Sequence, residues 1–125
     1  MAKDTPLAGV CVLLAEDNAI QAFDLKRLMR NAGAEVVGPA KTGADALAFA
    51  KTGNYTCALL DVILGREYVF PAARVLRERG TPIIFYTGSF VESIRRDWPE
   101  ALVVAKPAPP HLLLEAIRAA CALNR

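Results

Sequence analysis

The chain is predicted to fold as an α/β domain with a doubly wound, five-stranded parallel sheet, and three features of the sequence carry that expectation. Short apolar runs alternate with helix-length segments five times over. The connections are short, and no linker, repeat or low-complexity tract interrupts the alternation. The run Thr56-Cys57-Ala58-Leu59-Leu60 suits a strand buried on both faces, and it ends in a carboxylate, Asp61. Such alternation implies parallel strands, right-handed crossovers and helices on both faces of the sheet.

Residues 1–8 read as a loose lead-in. Val10 to Ala15 is a first buried strand and runs into Glu16-Asp17. Asn18 is placed to cap the next helix, with Gln21 in the capping-box position. Leu25, Leu28, Met29 and Ala32 recur along that helix at helical spacing, and Gly33 is placed to end it in a left-handed turn. Glu35 to Gly38 is a short second strand, and Thr42 to Lys51 an alanine-rich helix followed by Gly53. The strand ending at Asp61 comes third. After a loop, a helix spans about 70–79, started near Pro71 and closed by Gly80. Pro82 to Thr87 is the fourth strand, with its proline at the start, where a missing donor is tolerated. A short helix is expected over Ser89–Trp98, with Ser89 and Glu92 as a capping box. Leu102 to Ala105 is the fifth strand, ending at Lys106-Pro107. Pro109-Pro110 opens a last helix to about Leu123, with Leu113, Ala116, Ile117 and Ala120 as its apolar stripe.

At 125 residues the chain is expected to make one domain, residues 1–125. Its 54% hydrophobic and 22% charged content is that of a globular protein, not a disordered one. The net charge is +2 with scattered Lys and Arg, which argues against a nucleic-acid face. No apolar run approaches a membrane span and the first residues lead into no signal-peptide core, so a cytoplasmic location is expected. Cys11, Cys57 and Cys121 show no metal or pairing spacing and read as buried thiols.

In a parallel sheet, ligands collect at the carboxyl ends of the strands. Those ends supply Glu16 and Asp17 from the first strand, Asp61 from the third, Thr87 from the fourth and Lys106 from the fifth. Three carboxylates in one crevice repel each other unless a cation joins them. A hard divalent ion, most simply Mg²⁺, suits such oxygen ligands and seeks phosphate oxygens. Lys106 offers a point charge for a phosphoryl oxygen and Thr87 a hydroxyl donor. An Asp carboxylate can attack phosphorus to form an acyl phosphate.

This five-point set resembles that of the receiver domains of bacterial two-component response regulators, and the likeness covers essentially the whole chain. The resemblance implies a flavodoxin-like, CheY-like fold with strand order 2-1-3-4-5. It implies that Asp61 is phosphorylated by a sensor histidine kinase or a histidine phosphotransfer protein, with Thr87 and Lys106 completing the catalytic set. Mg²⁺ would be held by Glu16, Asp17, Asp61 and the backbone carbonyl of Ile63. It implies self-phosphotransfer and slow self-dephosphorylation rather than enzymatic turnover, and a cis bond at Lys106-Pro107. The apolar Ile63 side chain, unable to orient a water, implies a long-lived phosphoryl group. Phe85-Tyr86-Thr87-Gly88-Ser89-Phe90 resembles the signature of the FATGUY subgroup of single-domain regulators, with Tyr86 in place of the usual alanine. Receivers often carry a switch aromatic three positions before the lysine. Val103 stands there, so the switch is expected at Thr87, Gly88 and Phe90.

The chain ends at Arg125 without room for a DNA-binding effector, so output is expected through contacts with a downstream protein, or the chain acts as a phosphate sink. It would be a monomer or a phosphorylation-linked dimer. Two other readings compete: a receiver-like interaction module that no longer accepts phosphate, and a Mg²⁺-dependent phosphohydrolase with an Asp nucleophile. The latter needs a general acid and a cap, for which the sequence offers no candidate. Among the remaining residues, His111 and Arg95-Arg96 read as surface positions. Trp98 reads as a packing anchor for the short fourth helix.

Overall fold

The computed structural model describes residues 5–122. Twelve elements follow one another: β1 (Cys11–Ala15), α1 (Ala19–Asn31), β2 (Glu35–Ala40), α2 (Gly43–Thr52), β3 (Cys57–Leu60), β4 (Ile63–Leu64), β5 (Glu67–Tyr68), α3 (Phe70–Glu78), β6 (Ile83–Thr87), α4 (Val91–Asp97), β7 (Leu102–Ala105) and α5 (Pro110–Ala122). The main sheet has the order β2-β1-β3-β6-β7, all parallel. Counting its five strands along the chain, this is the expected 2-1-3-4-5. The register places Ala15 beside Leu60, Leu60 beside Phe85 and Thr87 beside Ala105. The residues that follow these strands therefore share one edge.

Alternation along the strands divides the core in two. Leu13, Ala58, Leu60 and Phe85 face one layer with Ala46, Ala50, Leu76, Ile94 and Trp98. Val12, Leu14, Cys57, Leu59 and Ile84 face the other with Leu25, Met29, Leu113 and Ile117. β3 is buried along its whole length, which is why its sequence shows a continuous apolar run rather than an alternating one. Trp98 anchors α4 as expected: it is buried, stacked on Phe70 and edge-on to Phe85, with the Arg77 guanidinium 3.6 Å above its ring.

The structure corrects several expectations. Residues 1–4 and Leu123 lie outside the described residues. Leu7, within the stretch read as lead-in, is fully buried and donates its N–H to Ala32, so that part of the stretch belongs to the core. β2 is longer than expected and runs to Ala40 through a cis Gly38–Pro39 bond. A side chain at Gly38 (φ +109) would collide with the Leu14 carbonyl oxygen, so only glycine fits there. The loop expected after Asp61 contains a hairpin, β4 paired antiparallel with β5. The Ser89–Glu92 capping box does not form. The Ser89 N–H is taken by the Thr87 hydroxyl oxygen at 3.2 Å, and α4 begins two residues later, with Phe90 before it and no side-chain cap.

The thiols of Cys57 and Cys121 lie 3.7 Å apart between β3 and α5. Their mutual hydrogen bond and burial push the Cys57 thiol well above the ordinary range, so it stays protonated and acts as a core residue. No helix among the described residues is long and apolar enough to cross a membrane.

Candidate functional site

Each site residue sits where a strand leaves the sheet. Glu16 follows β1 directly and is buried, its N–H given to the Ala40 carbonyl. Its Oε2 accepts from the Asn18 N–H at 3.1 Å. Asn18 caps α1 as expected, its Oδ1 accepting from the Gln21 N–H at 2.9 Å. The other half of the expected capping box is absent, because the Asn18 N–H belongs to Glu16 and the Gln21 side chain turns to Lys106. Asp61 follows β3, donating its N–H to Ala15 and accepting from the Val62 N–H through Oδ1 at 2.7 Å. Asp17 is exposed and accepts from the Gly65 N–H at 2.7 Å.

Lys106 joins the set from β7. Its Nζ lies 2.8 Å from Glu16 Oε1, 2.8 Å from Asp61 Oδ2 and 2.7 Å from Gln21 Oε1. The following peptide bond, Lys106–Pro107, is cis, as expected. Burial works to lower the pKa of the ammonium, but hydrogen bonds and charge from Asp61 and Glu16 outweigh it and raise the pKa above the ordinary lysine value. The Lys106 charge is thus held at any physiological pH. Tyr86 lies beneath it, with the ammonium 5.3 Å from the ring centroid, and the tyrosine hydroxyl accepts from the Ala108 N–H at 3.3 Å.

Carboxylate oxygens of Glu16, Asp17 and Asp61 come within 4.8 Å of one another. The Lys106 ammonium neutralises one of these three charges and, of the three carboxylates, touches Glu16 and Asp61. The donor set is all oxygen, carries excess negative charge and is partly open to solvent, which fits a hard divalent cation such as Mg²⁺. Ile63 opens β4, and its side chain is half-buried against the core.

Thr87 is buried at the end of β6, its carbonyl accepting from the Lys106 N–H at 3.0 Å. The loop beyond it, where the switch is expected, carries its backbone strain at Phe90. Gly88 has no positive φ, whereas Phe90 has φ +62, a left-handed conformation that costs an aromatic residue about 1–2 kcal/mol. Phe90 is half exposed and stands edge-on to Tyr68, 6.2 Å between centroids. His111, Arg95 and Arg96 are surface residues outside the site.

Sequence reasoning brought Glu16, Asp17, Asp61, Thr87 and Lys106 to one edge, and the structure places all five there. It missed Gln21 as a partner of Lys106, Tyr86 beneath the ammonium, and Gly65 as the donor to Asp17. Spacing along the chain carries no trace of these contacts, which span 85, 20 and 48 residues.

A five-stranded parallel sheet of this order is the fold of response regulator receiver domains. The chain superposes on the response regulator receiver protein from Sinorhizobium medicae WSM419 with a TM-score of 0.84, at 24% identity, over 93% of this chain and 97% of that one. It also superposes on the receiver domain of the sensor histidine kinase PA1611 from Pseudomonas aeruginosa PAO1, a structure with a magnesium ion coordinated in its active-site cleft. There the TM-score is 0.78 and the identity 24%, over 92% of this chain and 99% of that one. In sequence, the chain is 32% identical over 77 residues to the transcriptional regulatory protein PdtaR of Mycobacterium tuberculosis. That match takes in 61% of this chain and only 38% of the regulator's length. No protein-family model matches.

Proposed function

We propose that the protein accepts a phosphoryl group on Asp61 in a Mg²⁺-dependent reaction and relays that state through protein contacts. The observation that carries this reading is the Lys106 ammonium lying between Glu16 and Asp61, at 2.8 Å from each, inside an acidic group at the strand ends. The residues support a simple division of labour. Asp61 offers a carboxylate oxygen to phosphorus. As that O–P bond forms, the P–N bond of a phosphohistidine donor breaks and its electron pair leaves with the imidazole, which takes up a proton. Lys106, already bonded to Asp61 Oδ2, is within reach of a phosphoryl oxygen on that atom. Thr87 can turn its hydroxyl from Ser89 toward another. Glu16, Asp17 and Asp61 would hold Mg²⁺, with the Ile63 carbonyl as a further donor. When bound, the ion would offset the charge of the carboxylates and phosphoryl oxygens.

Asp17→Ala removes one of three anionic ligands. Partners of a ligand alone contribute about tenfold or more in metal affinity, so loss of the ligand is expected to cost at least that. Titration calorimetry with Mg²⁺ checks it; an affinity equal to wild type would remove Asp17 from the ligand set.

The phosphodonor is read as a histidine kinase or histidine phosphotransfer protein docking across α1. Ile20 and Phe23 are exposed there at 76% and 65%, beside a groove of about 740 Å³ between α1 and the start of α5 that reaches Lys106. Phe23→Ala is expected to slow transfer from a protein donor by about tenfold, the scale of an interface anchor, with no effect on a small-molecule donor. Equal slowing with both donors would count against docking there. The strained, half-exposed Phe90 beside Thr87 supports the loop from Thr87 to α4 as the part that reports phosphorylation. The Phe85–Phe90 motif supports the FATGUY likeness.

Incubation with Mg²⁺ and acetyl phosphate, followed by intact mass, separates the readings. A retained, alkali-labile phosphoryl adduct supports a receiver. No adduct supports a phosphate-independent module, and steady release of phosphate with turnover supports a hydrolase.

A further inference from the structure

The β4–β5 hairpin, which follows Asp61, is tied to two distant parts of the chain. At its tip, the Gly65 N–H donates to Asp17 Oδ2 at 2.7 Å. Beyond the tip, Glu67 Oε1 accepts from the N–H groups of Gly43 and Ala44 at 2.8 and 3.3 Å. These are the first two residues of α2, whose N–H groups have no partner within the helix, and a carboxylate there meets the positive end of the helix dipole. The sequence makes room for this contact. A Cβ at Gly43 would lie 3.0 Å from both Glu67 Cβ and the Tyr68 carbonyl oxygen. On its other side the hairpin is pinned by Leu64, which pairs with Glu67 and is buried.

Asp17 needs such support. Glu16 is buried and held by Asn18 and Lys106, and Asp61 by Val62 and Lys106. Asp17 is exposed, and the hydrogen bond that orients its carboxylate comes from the hairpin tip. We propose that Glu67 is a positioning residue for the acidic site: by gripping the α2 N-terminus it holds the hairpin where the Gly65 N–H fixes the Asp17 carboxylate for cation binding. The proposal rests on the reading of Glu16, Asp17 and Asp61 as a Mg²⁺ site, and it assigns a role in that site to a residue that touches none of the three.

The experiment follows the Gly65 amide proton by NMR without metal, and then the Mg²⁺ affinity by titration calorimetry, in wild type, Glu67→Ala, Glu67→Gln and Gly43→Ala. An amide bonded to a carboxylate resonates downfield. Glu67→Ala is expected to move the Gly65 proton upfield and to weaken Mg²⁺ by about tenfold, the scale for a group that orients a metal ligand. Glu67→Gln retains a carbonyl acceptor and is expected to stay near wild type on both measures. Gly43→Ala, which pushes the hairpin away without touching Glu67 chemistry, is expected to follow Glu67→Ala. An unmoved Gly65 proton in Glu67→Ala overturns the proposal, as does a moved proton with unchanged Mg²⁺ affinity. A wild-type chain that binds no Mg²⁺, while Glu67→Ala still moves the Gly65 proton, overturns the cation reading and leaves the grip of the hairpin standing.

Discussion

Asp61→Asn is expected to take up no phosphoryl group from acetyl phosphate or from a protein donor. The amide has neither the charge nor the nucleophilic oxygen that attack on phosphorus requires. It also faces a conflict in its hydrogen bonds. Asp61 accepts on both oxygens, from the Val62 N–H and from the Lys106 ammonium. Asparagine can accept on one side only, so its NH₂ must face one of these donors. The fold should survive, since Lys106 keeps Glu16 and Gln21 as partners. Intact mass and circular dichroism check the two halves of this expectation. An adduct of wild-type size in a folded Asp61→Asn protein would move the phosphorylation elsewhere.

Lys106→Ala carries the largest expected effect on stability, and the effect should depend on metal. The substitution strands Glu16, whose side chain is only 1% exposed, beside two further carboxylates, where a single ammonium had offset them. Removing one partner of a buried ion pair costs about 3–5 kcal/mol; the partly open Asp61–Lys106 side places this case near about 3 kcal/mol. For a chain of this size that corresponds to a fall in Tm of about 10 °C. Mg²⁺ should then restore more stability to Lys106→Ala than it adds to wild type, because the ion no longer competes with the ammonium. Saturation to about a hundredfold over Kd is worth about 2.7 kcal/mol. Thermal melts with and without Mg²⁺ check this. Equal melting of variant and wild type without metal would show that the lysine does not offset the acidic group.

The parts of this site that were legible in the sequence are those that chain topology places. Once alternation establishes a parallel sheet, the residue after each strand must arrive at one edge, and Glu16, Asp17, Asp61, Thr87 and Lys106 follow without knowledge of any side-chain contact. The strand β3 was readable for a related reason: burial on both faces leaves an unbroken apolar run. The β4–β5 hairpin was not. Its strands are two residues each, too short to show a period of two, and its hold on the fold comes from Leu64 and from the distant Gly43 and Asp17. The start of α4 was misread because Ser89 and Glu92 have the right chemistry for a capping box, yet the Ser89 N–H that Glu92 would bind is claimed by the neighbouring Thr87 hydroxyl, and Phe90 takes the cap position. Gln21 illustrates the same competition: its spacing from Asn18 suits a capping box, but an ammonium 85 positions away is the stronger partner.

The most direct test of the account is chemical trapping of the phosphorylated residue. The protein is incubated with acetyl phosphate and Mg²⁺, reduced with borohydride, which converts an aspartyl phosphate to homoserine, and digested for tandem mass spectrometry. The account predicts homoserine in place of Asp61, only in samples given both donor and Mg²⁺, and aspartate unchanged at Asp17. Homoserine at another position, or none at Asp61 under conditions that keep the protein folded, would contradict it.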